Sequence, residues 1–205
     1  ELWEAMEAAA VRVAPDMGPQ DVSNAVFALA SLGRMPGKKT WAALEAAAVR
    51  VGPDMNPQNV TLTAWGCATF SILNGIEVPS SFATMWDLAC KMNAVSFSDK
   101  SLMMLFHAHL MIESLESRLS SAKKRHPEWL MKEARDAWKR GVKDDVTISK
   151  AHRRLANTFD ELGVKHEVER VTDDGYFSMD IYLPEHDVCV EFDGPTHYYN
   201  IDSDG

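Results

Sequence analysis

Cysteine is scarce in this chain, and its three copies, Cys67, Cys90 and Cys189, stand far apart. An odd number of isolated cysteines does not fit a disulfide framework, and the lack of a Cys-x-x-Cys pair argues against a structural zinc site. We therefore expect the three thiols to be small buried apolar side chains in a reducing compartment.

Long apolar runs are also missing. No stretch approaches the roughly 18 apolar residues of a membrane span, and none has the form of a signal-peptide core. Apolar residues nevertheless make up 46% of the 205 residues, which is ample for a packed core. The composition predicts a soluble globular protein with no membrane partner.

Positive charge is in deficit overall, with a formal net charge of −9, yet it is unevenly distributed. Residues 1–117 carry 7 cationic against 12 anionic side chains, residues 118–154 carry 12 against 5, and residues 155–205 carry 2 against 13. A basic cluster is the usual footprint of phosphate binding. Helical spacing of apolar residues from Trp129 to Val142 predicts an amphipathic helix whose basic outer face attracts phosphates. The alternative is a solvated connector between domains. The basic side chains that we expect to contact phosphates are Lys123, Lys124, Arg125, Lys132, Arg135, Lys139 and Arg140.

A segment of the chain is repeated. Trp3–Met17 recurs almost letter for letter as Trp41–Met55, an offset of 38 residues, and residues 81–112 keep the apolar rhythm of a degenerate third copy. Periods of this length are typical of stacked helical units. Each unit is predicted to have an Ala-rich first helix and a second helix that opens at Gly18-Pro19 or Asn56-Pro57, where a cap residue precedes proline.

Polar residues cluster at the start of each predicted second helix, namely Gln20 and Asn24 in one unit and Gln58 and Asn59 in the next. In an RNA-binding array such residues would line a concave groove and hydrogen-bond to base edges. They are equally ordinary helix-start residues whose side chains satisfy free amides. We interpret the Trp and Met residues at helical spacing as core rather than as stacking platforms.

The 38-residue period, the Pro-Gln-Asn-Val helix start and the Met35–Trp41 junction resemble the octotricopeptide (OPR) repeat. That family accompanies RNA-maturation factors of chloroplasts and mitochondria. The resemblance implies an α-α solenoid that binds single-stranded organellar transcripts.

Apolar and polar residues alternate strictly on both sides of the turn Pro184–Asp187, which predicts an antiparallel hairpin. A symmetric hairpin sets Leu183 opposite Val188, Ile181 opposite Val190, and Asp180 opposite Glu191. Two carboxylates held about 5 Å apart suit a divalent cation such as Mg²⁺. The alternative is a merely solvated strand face.

Asp180, ten further residues and then Glu191-Phe192-Asp193-Gly194-Pro195-Thr196-His197 resemble the RAP domain, and also the PD-(D/E)XK restriction-endonuclease-like superfamily. The resemblance implies Asp180 and Glu191 as metal ligands on the second and third strands. Asp193 stands where that superfamily has a lysine, and His197 would have to serve as the base. The catalytic candidates are therefore Asp180, Glu191, Asp193 and His197, with Mg²⁺ as the implied cofactor.

The residues between the basic cluster and the hairpin are predicted to form a helix and a first strand of the same terminal domain. Ser149 is predicted to cap a helix over Lys150–Leu162 closed by Gly163, with Leu155, Phe159 and Leu162 inward. A first strand over Val164–Val171 follows. The expected fold is multidomain α+β: helical repeats over 1–115, a basic helical connector over 116–146, and a restriction-endonuclease-like domain with a three-stranded meander over 147–205, incomplete at its C-terminus.

These features together predict an organellar RNA-binding protein acting in RNA processing, splicing, stability or translation. The alternatives are a Mg²⁺-dependent endoribonuclease and a protein-interaction scaffold without RNA, and other RNA-processing proteins are further expected partners. Because the chain begins with Glu1, we expect a fragment of a longer chloroplast or mitochondrial protein, with its targeting peptide upstream.

Overall fold

A computed structural model of the chain describes residues 2–116, 128–144, 148 and 150–191. Within them the chain forms eight α-helices and a small three-stranded antiparallel sheet. It divides between Trp138 and Lys139 into two compact units, and the predicted boundaries at 115/116 and 146/147 lie on either side of this division. Among the described helices, none combines the length and the apolar character that a bilayer crossing requires.

The first unit consists of paired helices. Their bounds are α1 Leu2–Val13, α2 Pro19–Ser31, α3 Lys38–Val51, α4 Pro57–Asn74, α5 Ser80–Lys91, α6 Asp99–Glu116 and, shared with the second unit, α7 Glu128–Asp144. Short 3₁₀ turns at Ala14–Asp16 and Gly52–Asp54 join α1 to α2 and α3 to α4. The predicted helix pairs of both repeats are confirmed at these positions.

The starts of α2 and α4 follow from their sequences. Asn56 is the cap of α4, where its side-chain oxygen accepts a hydrogen bond from the Asn59 amide at 2.9 Å. The carboxylate of Asp21 accepts a hydrogen bond from the Gly18 amide at 3.0 Å in front of α2. A proline follows each cap residue, where its missing amide proton costs nothing.

The helices of the first unit contact one another in two series. α1, α3 and α5 are neighbours in one series, and α2, α4 and α6 are neighbours in the other. Val22 and Val26 of α2 are buried, whereas Leu32 is 70% exposed because it lies just beyond the last residue of that helix. The largest fully buried side chains of this unit are Phe70, Phe106, Leu44, Met85 and Leu105.

Polar contacts tie the first helix pair to the second. Arg50 Nη2 of α3 donates to the carbonyl oxygens of Ala14 at 3.1 Å and Met17 at 2.8 Å. Asn59 Nδ2 of α4 donates to Ser23 Oγ of α2 at 3.0 Å. Because these bonds link residues 33 to 36 positions apart, they fix one repeat against the next.

The second unit contains α8 Lys150–Glu161, β1 Glu167–Val171, β2 Ser178–Leu183 and β3 Val188–Val190. The predicted order of one helix and three antiparallel strands is confirmed, and so are the pairs Leu183–Val188 and Ile181–Val190.

Two details of the second unit differ from the prediction. β1 begins at Glu167 rather than Val164, because the chain turns at Gly163, φ +66°, and pairs with β2 only from Glu167 onward. Leu162, predicted to point inward, is 70% exposed because α8 ends one residue before it.

Candidate functional site

A polar cleft of about 350 Å³ lies at the starts of α2 and α4. All four residues predicted to contact RNA bases in the repeats line it, namely Gln20, Asn24, Gln58 and Asn59. The other lining residues are Pro19, Asp54, Asn56 and Leu62. The 38-residue repeat thus places equivalent side chains from two helix pairs around one cavity.

The cleft residues divide into two groups by their contacts. Gln20, Asn24 and Gln58 are exposed, so their amides face solvent. Asn59 is only 7% exposed, and its side chain is engaged with Ser23 Oγ at 3.0 Å and the Asn56 amide at 3.4 Å. For Asn59 the helix-start interpretation therefore holds, while the three exposed amides are available to a ligand.

A row of half-buried aromatic rings crosses neighbouring helices of the first unit. Phe27 of α2 lies 5.3 Å from Trp65 of α4, Trp65 lies 6.4 Å from His107 of α6, and His107 lies 5.4 Å from Trp138 of α7, all between ring centroids. We call these four residues the aromatic row. Trp86 is 2% exposed and belongs to the core as expected, whereas Trp65 and Trp138 remain partly open to solvent.

The aromatic row continues from the cleft on the same helix faces. Gln58, Leu62 and Trp65 follow at steps of four and three residues in α4, and residues so spaced lie on one face of a helix. Gln20, Asn24 and Phe27 repeat this spacing in α2. The exposed amides and the rings therefore form one surface that runs across the repeats.

A hydrogen bond connects two members of the aromatic row. Trp65 Nε1 donates to His107 Nδ1 at 3.3 Å, which requires that nitrogen to be unprotonated. Burial lowers the pKa of His107 below its usual value near 6.5. The row is therefore neutral at physiological pH.

Four of the seven basic residues predicted to contact phosphates lie on α7. Lys132, Arg135 and Arg140 are exposed on α7. Lys139 Nζ instead lies 5.1 Å from the centroid of the Tyr176 ring, in a cation–π contact within the chain. Lys123, Lys124 and Arg125 lie outside the described residues.

The predicted carboxylate pair lies at the end of the paired part of the hairpin. Pairing of β2 with β3 ends at Ile181–Val190, one residue before Asp180 and Glu191 would meet. Cys189 Sγ donates to Glu191 Oε1 at 2.9 Å. Partial desolvation, this hydrogen bond and the charges of Glu191 and Asp180 raise the pKa of Cys189 to about 11, so both carboxylates act on one thiol. Cys189 is itself exposed, not buried as predicted, because β3 presents it to solvent.

Asp180 has two neighbours that were not among the predicted site residues. Possible ligand atoms of His152 from α8, Glu169 from β1 and Asp180 from β2 all lie within 4.8 Å of one another. Glu191 is not a member of this group. Glu169 lies between Val168 and Arg170, whose partners in β2 are Ile181 and Met179, so the observed register sets it across from Asp180. Nothing in the sequence marked His152, which is 3% exposed.

Asp193 and His197, the remaining predicted catalytic residues, lie outside the described residues. The structure therefore brings together the amides of the repeats in one surface and the acids of the sheet in another. No family model matches the sequence, and neither a curated protein nor a solved structure matches it.

Proposed function

We propose that the chain binds single-stranded RNA through the polar cleft and the aromatic row, and acts in post-transcriptional RNA metabolism in a chloroplast or mitochondrion. The main support for this proposal is that Gln20, Asn24 and Gln58 line one cleft. They also share helix faces with Phe27 and Trp65. The organellar setting, and other RNA-processing proteins as partners, rest on the resemblance to OPR and RAP proteins.

The chemistry of this surface suits single strands rather than duplexes. Unpaired bases offer both a flat ring for stacking on aromatic side chains and free edges for hydrogen bonding. A side-chain amide has a donor and an acceptor, so it can pair with a base edge on two atoms. Paired bases in an RNA helix would present neither the ring faces nor the same edges to this surface.

The proposal is tested by fluorescence anisotropy with labelled single-stranded and duplex RNAs of mixed sequence. Replacing Asn24 or Gln58 by alanine should weaken single-strand binding about two- to tenfold, the worth of a neutral hydrogen bond. Both side chains are exposed, so the fold should tolerate the changes. Asn157→Ala, at an exposed asparagine of α8, is the matched control and should leave affinity unchanged.

Two results would contradict the proposal. Equal affinity for duplex and single-stranded RNA would show that exposed bases are not recognised. Unchanged affinity in the cleft variants would show that the cleft does not bind RNA. A chain that binds no RNA but retains a protein partner would favour the scaffold alternative.

A Mg²⁺-dependent endoribonuclease is the second candidate function. It is supported by the resemblance of Asp180 and Glu191 to the metal-ligating acids of the restriction-endonuclease-like superfamily, because two carboxylates suit a hard cation. Asp180→Ala should then abolish cleavage of RNA while sparing binding. Cleavage that persists in this variant would exclude the assignment.

A further inference from the structure

We propose that His152, Glu169 and Asp180 form a binding site for a transition-metal dication of the Zn²⁺ class. The three residues come from α8, β1 and β2 of the second unit, and their possible ligand atoms lie within 4.8 Å of one another. This site is independent of RNA binding and differs in two of its ligands from the Asp180–Glu191 pair.

A hydrogen bond to the backbone orients the His152 ring. Nε2 lies 3.1 Å from the backbone carbonyl oxygen of Asp180, and since a carbonyl oxygen only accepts, Nε2 must carry the proton. A ring that donates from one nitrogen to a backbone carbonyl presents the lone pair of the other nitrogen, which is the common arrangement of metal-binding histidines. In the neutral ring, that lone pair is on Nδ1.

His152 Nδ1 lies 3.5 Å from Glu169 Oε1. Two ligand atoms at the usual zinc distances and a tetrahedral angle are separated by about 3.4 Å. Without a shared cation, the neutral Nδ1 and a carboxylate oxygen would face each other with lone pairs only. A proton on Nδ1, or a metal ion bound by both atoms, would make this approach favourable.

Glu169 is held in an unusual conformation at this point. Its φ of +52° falls in a region that residues other than glycine seldom adopt, and here it occurs inside a strand. Ser178 Oγ donates to Glu169 Oε2 at 3.2 Å, which leaves Oε1 directed at His152. Such conformations persist where the surroundings fix them, and they concentrate at ligand sites.

The ligand types indicate which ion would bind. Imidazole favours zinc and its neighbours over Mg²⁺, and two carboxylates add the charge that compensates a dication. Three protein ligands leave a fourth position of a tetrahedral ion for water or a substrate atom, as in catalytic rather than structural zinc sites. A dication would also reduce the repulsion between Glu169 and Asp180.

The test is calorimetric titration of Zn²⁺ into the full 205-residue chain after chelator treatment, with Co²⁺ absorption as a second readout. We expect one ion per chain, and His152→Ala and Glu169→Gln should each weaken Zn²⁺ binding more than tenfold. Zn²⁺ should raise the Tm of the unaltered chain but not that of Glu169→Gln, an isosteric change that keeps the side-chain volume.

Two variants separate this site from its neighbours. Glu191→Gln should leave Zn²⁺ affinity unchanged, because Glu191 is outside the proposed ligand set, and Cys189→Ser should do the same. The Co²⁺ spectrum should lack a thiolate charge-transfer band. The proposal is overturned if the unaltered chain binds no Zn²⁺, if Glu169→Gln binds it as well as the unaltered chain, or if Glu191→Gln or Cys189→Ser abolishes binding.

Discussion

Gly66 shows how closely the second helices of the repeats approach. It lies inside α4, and a Cβ atom built there would be 2.6 Å from Val26 Cγ1 and 3.2 Å from the Val26 carbonyl oxygen. The side chain of Val26 could turn, but the backbone oxygen of α2 cannot move without shifting its helix. The absence of a side chain at Gly66 therefore sets the distance between α2 and α4.

We expect Gly66→Ala to destabilise the first unit by about 1–3 kcal/mol, the typical cost of overpacking. In an exposed helix the same change would stabilise by roughly 0.5–1 kcal/mol, because alanine favours helices over glycine. Urea denaturation decides between the two signs. A gain in the free energy of unfolding would show that α2 and α4 are not in this close contact.

His107 of the aromatic row makes the stability of the fold depend on pH. Its pKa is lowered by burial, and that of His109 is lowered by burial and by the charge of Arg135. The folded state thus binds fewer protons than the unfolded chain near pH 6. The contribution of these two histidines to the free energy of unfolding is fully present above pH 6.5. It is lost as the pH falls below that value.

His107→Gln should make stability less dependent on pH below 6.5, because glutamine keeps an acceptor for Trp65 Nε1 but does not protonate. The measurement is the urea midpoint at several pH values between 5 and 7. An unchanged slope in His107→Gln would contradict the assigned effect.

At the scale of elements, Arg50 joins the two repeats. Its guanidinium donates to two carbonyl oxygens at the turn between α1 and α2. We expect Arg50→Ala to lower the free energy of unfolding by about 1–2 kcal/mol, since hydrogen bonds from charged groups exceed neutral ones and part of this contact is exposed.

The repeat provides the matched control for Arg50. Arg12 stands 38 residues earlier, at the equivalent position of α1, and is exposed. Arg12→Ala should cost less than about 0.5 kcal/mol, the usual range for a surface substitution. Equal losses in the two variants would show that Arg50 does not act as a link between repeats.

The regular elements could be predicted from the sequence because they depend on local signals. Proline after a cap residue fixed the starts of α2 and α4, and strict alternation fixed the register of β2 and β3. The aromatic row and the His152 group could not be predicted in the same way. They depend on which helices become neighbours, and on a backbone conformation at Glu169 that its residue type does not favour.

The whole molecule has a net charge of −9, which would repel RNA. The proposed RNA binding therefore depends on the charges close to the contact surface. Exposed Lys132 and Arg135 lie on α7, whereas the cleft itself has uncharged amides and one acid, Asp54. We expect the logarithm of affinity to fall with the logarithm of salt concentration by about 0.7 for each phosphate contacted.

The double variant Lys132→Ala/Arg135→Gln should reduce the slope of log affinity against log salt by about 1.4, because two phosphate contacts are lost. Gln58→Ala should weaken binding equally at every salt concentration and leave the slope unchanged. Anisotropy titrations over a salt series measure both. A salt slope that Gln58→Ala alters as much as the double variant does would show that the cleft binds phosphate rather than bases.

The spacing of the aromatic row has a consequence for the shape of a bound strand. Its neighbouring rings are 5.3 to 6.4 Å apart, whereas successive nucleotides of one strand rise only about 3.4 Å each even in B-form DNA. A strand with one base on each ring would be stretched, and its bases would lose contact with each other. If the chain holds RNA in this way, it would also straighten hairpins in the segment it covers, and so leave flanking sequence open to other molecules.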